Sequence, residues 1–83
     1  MYSIVFIDSS QKEFRQLGKE NQKRVISVLE RVRVRPFEFA LRLSGSKAYR
    51  VRAGKLRIIL DIREEDSSIV ILKIGNRESI YLP

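Results

Sequence analysis

Tyr49-Arg50-Val51-Arg52-Ala53-Gly54-Lys55-Leu56-Arg57-Ile58-Ile59-Leu60-Asp61-Ile62 reads as two strands joined by a tight turn. Successive side chains of a strand point to opposite faces. Tyr49 and Val51 therefore share one face, and Arg50 and Arg52 the other. Past the Ala53-Gly54-Lys55 turn the even positions Leu56, Ile58, Leu60 and Ile62 are all apolar and suit a core, which leaves Arg57, Ile59 and Asp61 outside. In a last strand, Val70, Leu72 and Ile74 form the expected apolar set, and Lys73 has the parity of Arg77. Arg50, Arg52, Arg57, Lys73 and Arg77 are thus expected on one sheet face. From Arg42 to Arg57 the chain carries six cations and no carboxylate, a spacing that builds a site for phosphate.

Toward the amino terminus, residues 2–7 read as a first strand whose apolar run predicts burial on both faces, ended by the turn-forming Asp8-Ser9-Ser10. Ser10 and Glu13 have the form of a capping box opening a helix of about two turns. Phe14 and Leu17 share one side of it, and Gly18 suits the left-handed position that ends a helix. A second helix over 19–34 places Val25, Ile26, Val28, Leu29 and Val32 at helical spacing, opposite a face of Lys, Arg, Gln and Glu. Pro36 stops it, and 37–47 reads as a connector in which Phe37, Phe39 and Leu41 partly tuck in. Residues 64–67 make the last turn. The predicted order is β-α-α-β-β-β, an α+β fold with a helical hairpin packed on a mostly antiparallel four-stranded sheet, in a single domain over 1–83.

At 83 residues folding buries roughly 60% of the surface of the unfolded chain, so the stability margin is thin. The net charge of +7 calls for a polyanionic partner, nucleic acid or an acidic protein. Without cysteine or histidine, disulfides, thiolate nucleophiles, soft-metal sites and imidazole acid/base catalysis are excluded. No metal or cofactor is expected. The opening residues lack a basic leader with a long apolar segment, and nothing approaches a membrane span, so the expected location is cytoplasmic.

Three segments stand out together: Leu43-Ser44-Gly45 leading into Tyr49-Arg50-Val51-Arg52, then Gly54-Lys55-Leu56-Arg57-Ile58-Ile59, and finally Ile74-Gly75-Asn76-Arg77-Glu78-Ser79-Ile80-Tyr81. Through them the chain resembles, over nearly its full length, the RelE/ParE superfamily of toxins from bacterial and archaeal toxin–antitoxin pairs. Among its branches the RelE-like one, which cuts messenger RNA on the ribosome, fits best.

The resemblance implies metal-independent cleavage in which the ribose 2′-hydroxyl attacks the neighbouring phosphorus, leaving a 2′,3′-cyclic phosphate and a 5′-hydroxyl. It implies catalytic roles for Arg50, Arg52, Arg57, Arg77 and Tyr81, RNA contacts by Lys47, Lys55, Lys73 and Asn76, and as partners a RelB-like antitoxin, the ribosome and its message. Arg57 and Arg77 suit the stabilisation of phosphoryl charge, since a guanidinium binds phosphate through a planar fork and keeps its proton. Tyr81 would stack on or position a base. Two positions depart from the pattern: Arg50 and Arg52 replace lysines, and Asn76 stands where relatives often have histidine. Arginine is a poor proton carrier. Protons are then handled by water, by the RNA, or by Glu78 or Tyr81, or the enzyme is slow. The ParE-like alternative is a gyrase-blocking module that cuts nothing, and a weakened homologue that only binds antitoxin or RNA is the third reading.

Overall fold

The two strands at the centre of the sequence pair as their alternation requires. In the computed structural model, which describes residues 1–76, β3 (Tyr49–Ala53) and β4 (Leu56–Arg63) form an antiparallel hairpin, with Val51 opposite Ile58 and Arg52 opposite Arg57. β5 (Ser68–Asn76) pairs antiparallel with the other side of β4, and β1 (Ser3–Phe6) pairs parallel with β5. A two-residue strand, β2 (Leu41–Arg42), extends the sheet beyond β3, giving the order β1-β5-β4-β3-β2. Among the described residues the sheet therefore has five strands and not the expected four. The fifth is too short for any alternation to announce it.

One face of this sheet is covered by α1 (Asp8–Arg15) and α2 (Lys19–Val32). Val25, Leu29 and Val32 of α2 pack with Val51, Ala53, Leu56, Ile58, Leu60, Ile69, Ile71 and Ile74 in a continuous core. Phe6, Phe14, Leu17 and Ile62 close its margin. Ile58, Leu60, Ile69 and Ile71 are fully buried, each contributing about 1.5–3 kcal/mol relative to exposure. No helix among the described residues is long and apolar enough to cross a membrane.

Several local expectations change, each for an identifiable reason. Of the set Val70, Leu72 and Ile74, only Ile74 belongs to the core, because the register of β5 against β4 shifts between Ile59 and Leu60 and leaves Leu72 unpaired as a bulge. The bulge resets the period-two alternation, so Ile69 and Ile71 lie inward, and Lys73 keeps the outer face. β1 is partly buried on one face, through Ile4 and Phe6, and exposed on the other, with Val5 44% exposed. The first helix starts at Asp8, two residues before Ser10, so Ser10 occupies the third helical position and its hydroxyl accepts the Ile7 N–H at 3.1 Å. Gly18 is extended (φ −64°, ψ 159°) and begins α2 instead of ending α1 in a left-handed turn. Ile26 points out of the core at 45% exposure.

The 37–47 connector is partly structured. Pro36, with its fixed φ and missing N–H, opens the single helical turn α3 (Pro36–Phe39), and Ala40 N–H donates to Pro36 O at 3.0 Å. Phe37, Phe39 and Leu41 do not tuck in; they are 49%, 46% and 61% exposed.

Candidate functional site

On the sheet face away from the helices, residues paired across strands point the same way, and two adjacent rows emerge from the register. One runs Leu41, Arg50, Ile59, Lys73, and the next runs Arg52, Arg57, Gly75. The hairpin and β5 thus bring Arg50, Arg52, Arg57 and Lys73 together as the alternation predicts. Neighbouring residues along a strand face are separated by about 6.6 Å and direct cross-strand neighbours by about 5 Å, so all four long side chains reach a common patch. Gly75 adds no side chain beside Arg57.

Ile59 is 2% exposed although it lies outside the helix-side core. Its lateral neighbours are Arg50 and Lys73, whose aliphatic stems suit such a neighbour while their charged ends stay outward. A small apolar floor beneath cations lowers the local dielectric and strengthens their hold on an anion.

Arg52 and Arg57 face each other directly, a like-charge pair that destabilises a bare sheet. The Nε of Arg57 is buried and has no hydrogen-bond partner among the described residues. Native structures rarely leave such a donor unmet. Ion pairs among the described residues include Arg33 with Glu30, Arg35 with Glu38, and Arg63 with Asp61 and Glu65. Among the described residues Asp61 is the carboxylate on this face, and Arg63 is its partner at 3.8 Å. It sits four residues from Arg57 along β4, roughly 13 Å, beyond a Debye length at physiological salt.

Of the other predicted contacts, Lys55 lies in the β3–β4 turn at the Arg57 end, and Lys47 precedes β3 at its opposite end. Asn76 ends β5. Arg77 and Tyr81 lie outside the described residues. Reading the sequence alone misses Arg31, Phe39 and Leu41, which with Arg50 and Arg52 line a cavity of about 520 Å³ along the edge of β3. Arg31 follows the buried Val28 by one helical turn, and that spacing is the signal a closer reading would have used. No group of three or more carboxylates among the described residues is arranged to hold a metal ion.

This geometry offers fixed cations and an adjoining partly apolar recess, an arrangement able to bind a phosphodiester and stabilise added charge on it. No known family model matches the chain. A relative from Methanocaldococcus jannaschii, named as toxin RelE1, is 35% identical over 75 residues, 84% of this chain and 83% of the relative. The RelBE2 toxin–antitoxin complex of Mycobacterium tuberculosis superposes with a TM-score of 0.80 at 20% identity, covering 92% of this chain and 98% of the other. The RelE–RelB complex of Pyrococcus horikoshii gives 0.79 at 24% identity, covering 95% and 98%.

Proposed function

The chain belongs to the RelE family of toxins of toxin–antitoxin systems, and from that premise we propose that it is an endoribonuclease that cuts messenger RNA on the ribosome and so blocks translation. The observation that supports this reading most directly is the convergence of Arg50, Arg52, Arg57 and Lys73 on one sheet face. Like charges held this close suit a phosphate, whose oxygens accept from several guanidinium donors at once.

In the reaction, the 2′-oxygen of the ribose forms a bond to the adjacent phosphorus while the bond to the 5′-oxygen breaks. The 2′-hydroxyl loses its proton and the departing 5′-oxygen gains one. Negative charge accumulates on the non-bridging oxygens in between. Arg57 grips those oxygens through its fork, with Arg52 and Arg50 holding the flanking backbone and Arg77 completing the cationic set. Tyr81 stacks on a base next to the cut, and Lys47, Lys55, Lys73 and Asn76 guide the strand. None of the arginines moves protons; that task falls to water or to the RNA. The ribosome supplies the in-line alignment that the protein alone lacks.

The chemistry of an Arg-rich face matches an acidic segment as well as RNA. We infer that a RelB-like antitoxin silences the toxin by occupying it, as the solved relatives are complexes of that kind.

The test is cleavage of message in a translating extract by the full chain and by Arg57→Ala. The wild type is expected to cut within codons, and the variant to lose roughly 100-fold to 1000-fold in rate, the usual loss for one charge-stabilising donor. Intact messages with changed DNA supercoiling would replace this reading with a gyrase-blocking one, and a chain that does neither is a binding homologue only.

A further inference from the structure

Ser10 and Glu13, three residues apart on α1, reach the same strand. The buried Ser10 hydroxyl donates to Ile71 O at 2.7 Å, and Glu13 Oε1 accepts the Ile74 N–H at 2.9 Å. The Leu72 bulge lies between these two attachment points. β1 accompanies β5 only as far as Ile71, so from Leu72 onward no strand among the described residues lies beside β5 on that side. α1 takes that place. Three residues advance about 4.5 Å along a helix and roughly 10 Å along a strand, and the difference between a serine and a glutamate arm makes up the gap.

A bulged strand has a ready alternative, a slip of one residue that returns the regular ladder and turns every side chain to the opposite face. Here the slip would send Lys73 into the core and Ile74 out to solvent. The Ser10 and Glu13 bonds oppose it from both sides of the bulge, since moving the strand by one residue carries Ile74 N–H about 3.3 Å from its acceptor. We propose, resting on the ribonuclease reading above, that Glu13 is a positioning residue. With Ser10 it holds β5 in its shifted register, and so fixes Lys73 beside Ile59 and Gly75 beside Arg57.

Two measurements on the full chain test it: hydrogen exchange at the Ile74 amide, and single-turnover cleavage of ribosome-bound message. Glu13→Ala is expected to speed exchange at Ile74 about 10-fold to 100-fold, as loss of a charge-assisted bond allows, while the Ile58 amide is unchanged. Its cleavage rate falls about tenfold or more, with the half-saturating ribosome concentration unchanged. Glu13→Gln, whose amide oxygen accepts the same bond, keeps the rate within about threefold. Val25→Ala, which weakens the core away from β5, keeps the rate at temperatures where it is folded. The proposal is overturned by unchanged exchange at Ile74 in Glu13→Ala, or by a cleavage loss no larger than that of Val25→Ala. A wild type that cuts nothing overturns the ribonuclease reading instead, and the exchange result then decides alone whether the latch exists.

Discussion

Among the described residues the buried Nε of Arg57 has no acceptor, and Arg57 faces the like charge of Arg52. An unmet buried donor costs about 1–3 kcal/mol, and a like-charged cross-strand pair adds a few tenths to this. A phosphate bound between the two fork ends relieves the repulsion. Stability and activity should therefore move in opposite directions at this position. Arg57→Met keeps most of the aliphatic stem and removes the donor and the charge. Thermal unfolding of that variant is expected about 4–8 °C higher, the equivalent of about 1 kcal/mol in a domain of this size, with message cleavage lost. Arg57→Lys retains charge but not the planar fork, and should recover less than a tenth of the wild-type rate. A lower melting temperature for Arg57→Met would mean that the arginine serves the fold.

The β3–β4 hairpin depends on one backbone conformation. Gly54 has φ +64°, and a Cβ built there would stand 2.6 Å from Nη1 of Arg24, whose side chain crosses over the turn from α2. The two costs are unequal: a guanidinium at the end of a flexible arm swings aside at little expense, whereas left-handed backbone costs a residue with a Cβ about 1–2 kcal/mol. Gly54→Ala is expected to destabilise by about that amount in denaturant unfolding, and adding Arg24→Ala should recover no more than a few tenths. Full recovery in the double variant would mean that the collision with Arg24, and not the backbone, sets the cost. This hairpin is also where the sequence was most legible, because β4 is long, its even positions are uniformly apolar, and Gly54 marks the turn. β5 misled for the opposite reason. Leu72 is as apolar as its neighbours, so nothing in composition marks it as the unpaired residue, and the bulge is a property of the pairing with β4. The Ser10 and Glu13 pattern was visible, but its purpose was not, since their partners Ile71 and Ile74 are 61 residues away in the chain. α3 and β2 were hidden by their brevity.

Across the whole molecule the net charge of +7 admits two pictures, a diffuse field that draws RNA anywhere, or a field focused where Arg50, Arg52, Arg57 and Lys73 share a face. Salt dependence separates them, because each phosphate contacted releases condensed counterions and adds about 0.7 to the slope of log affinity against log salt for a single strand. Four such contacts give a slope near −3, so raising salt from about 50 to about 200 mM weakens binding roughly 50-fold. The probe is a single-stranded RNA with methylated 2′-hydroxyls, which binds without being cut. Removing one cation of the face by Lys73→Ala should flatten the slope by about 0.7 and weaken all RNA sequences alike. Removing an equal charge from the exposed start of α2 by Lys19→Ala should leave the slope where it was. Equal flattening by both variants would mean that RNA reads the total charge alone, and the convergence of cations on the sheet would then have no part in binding.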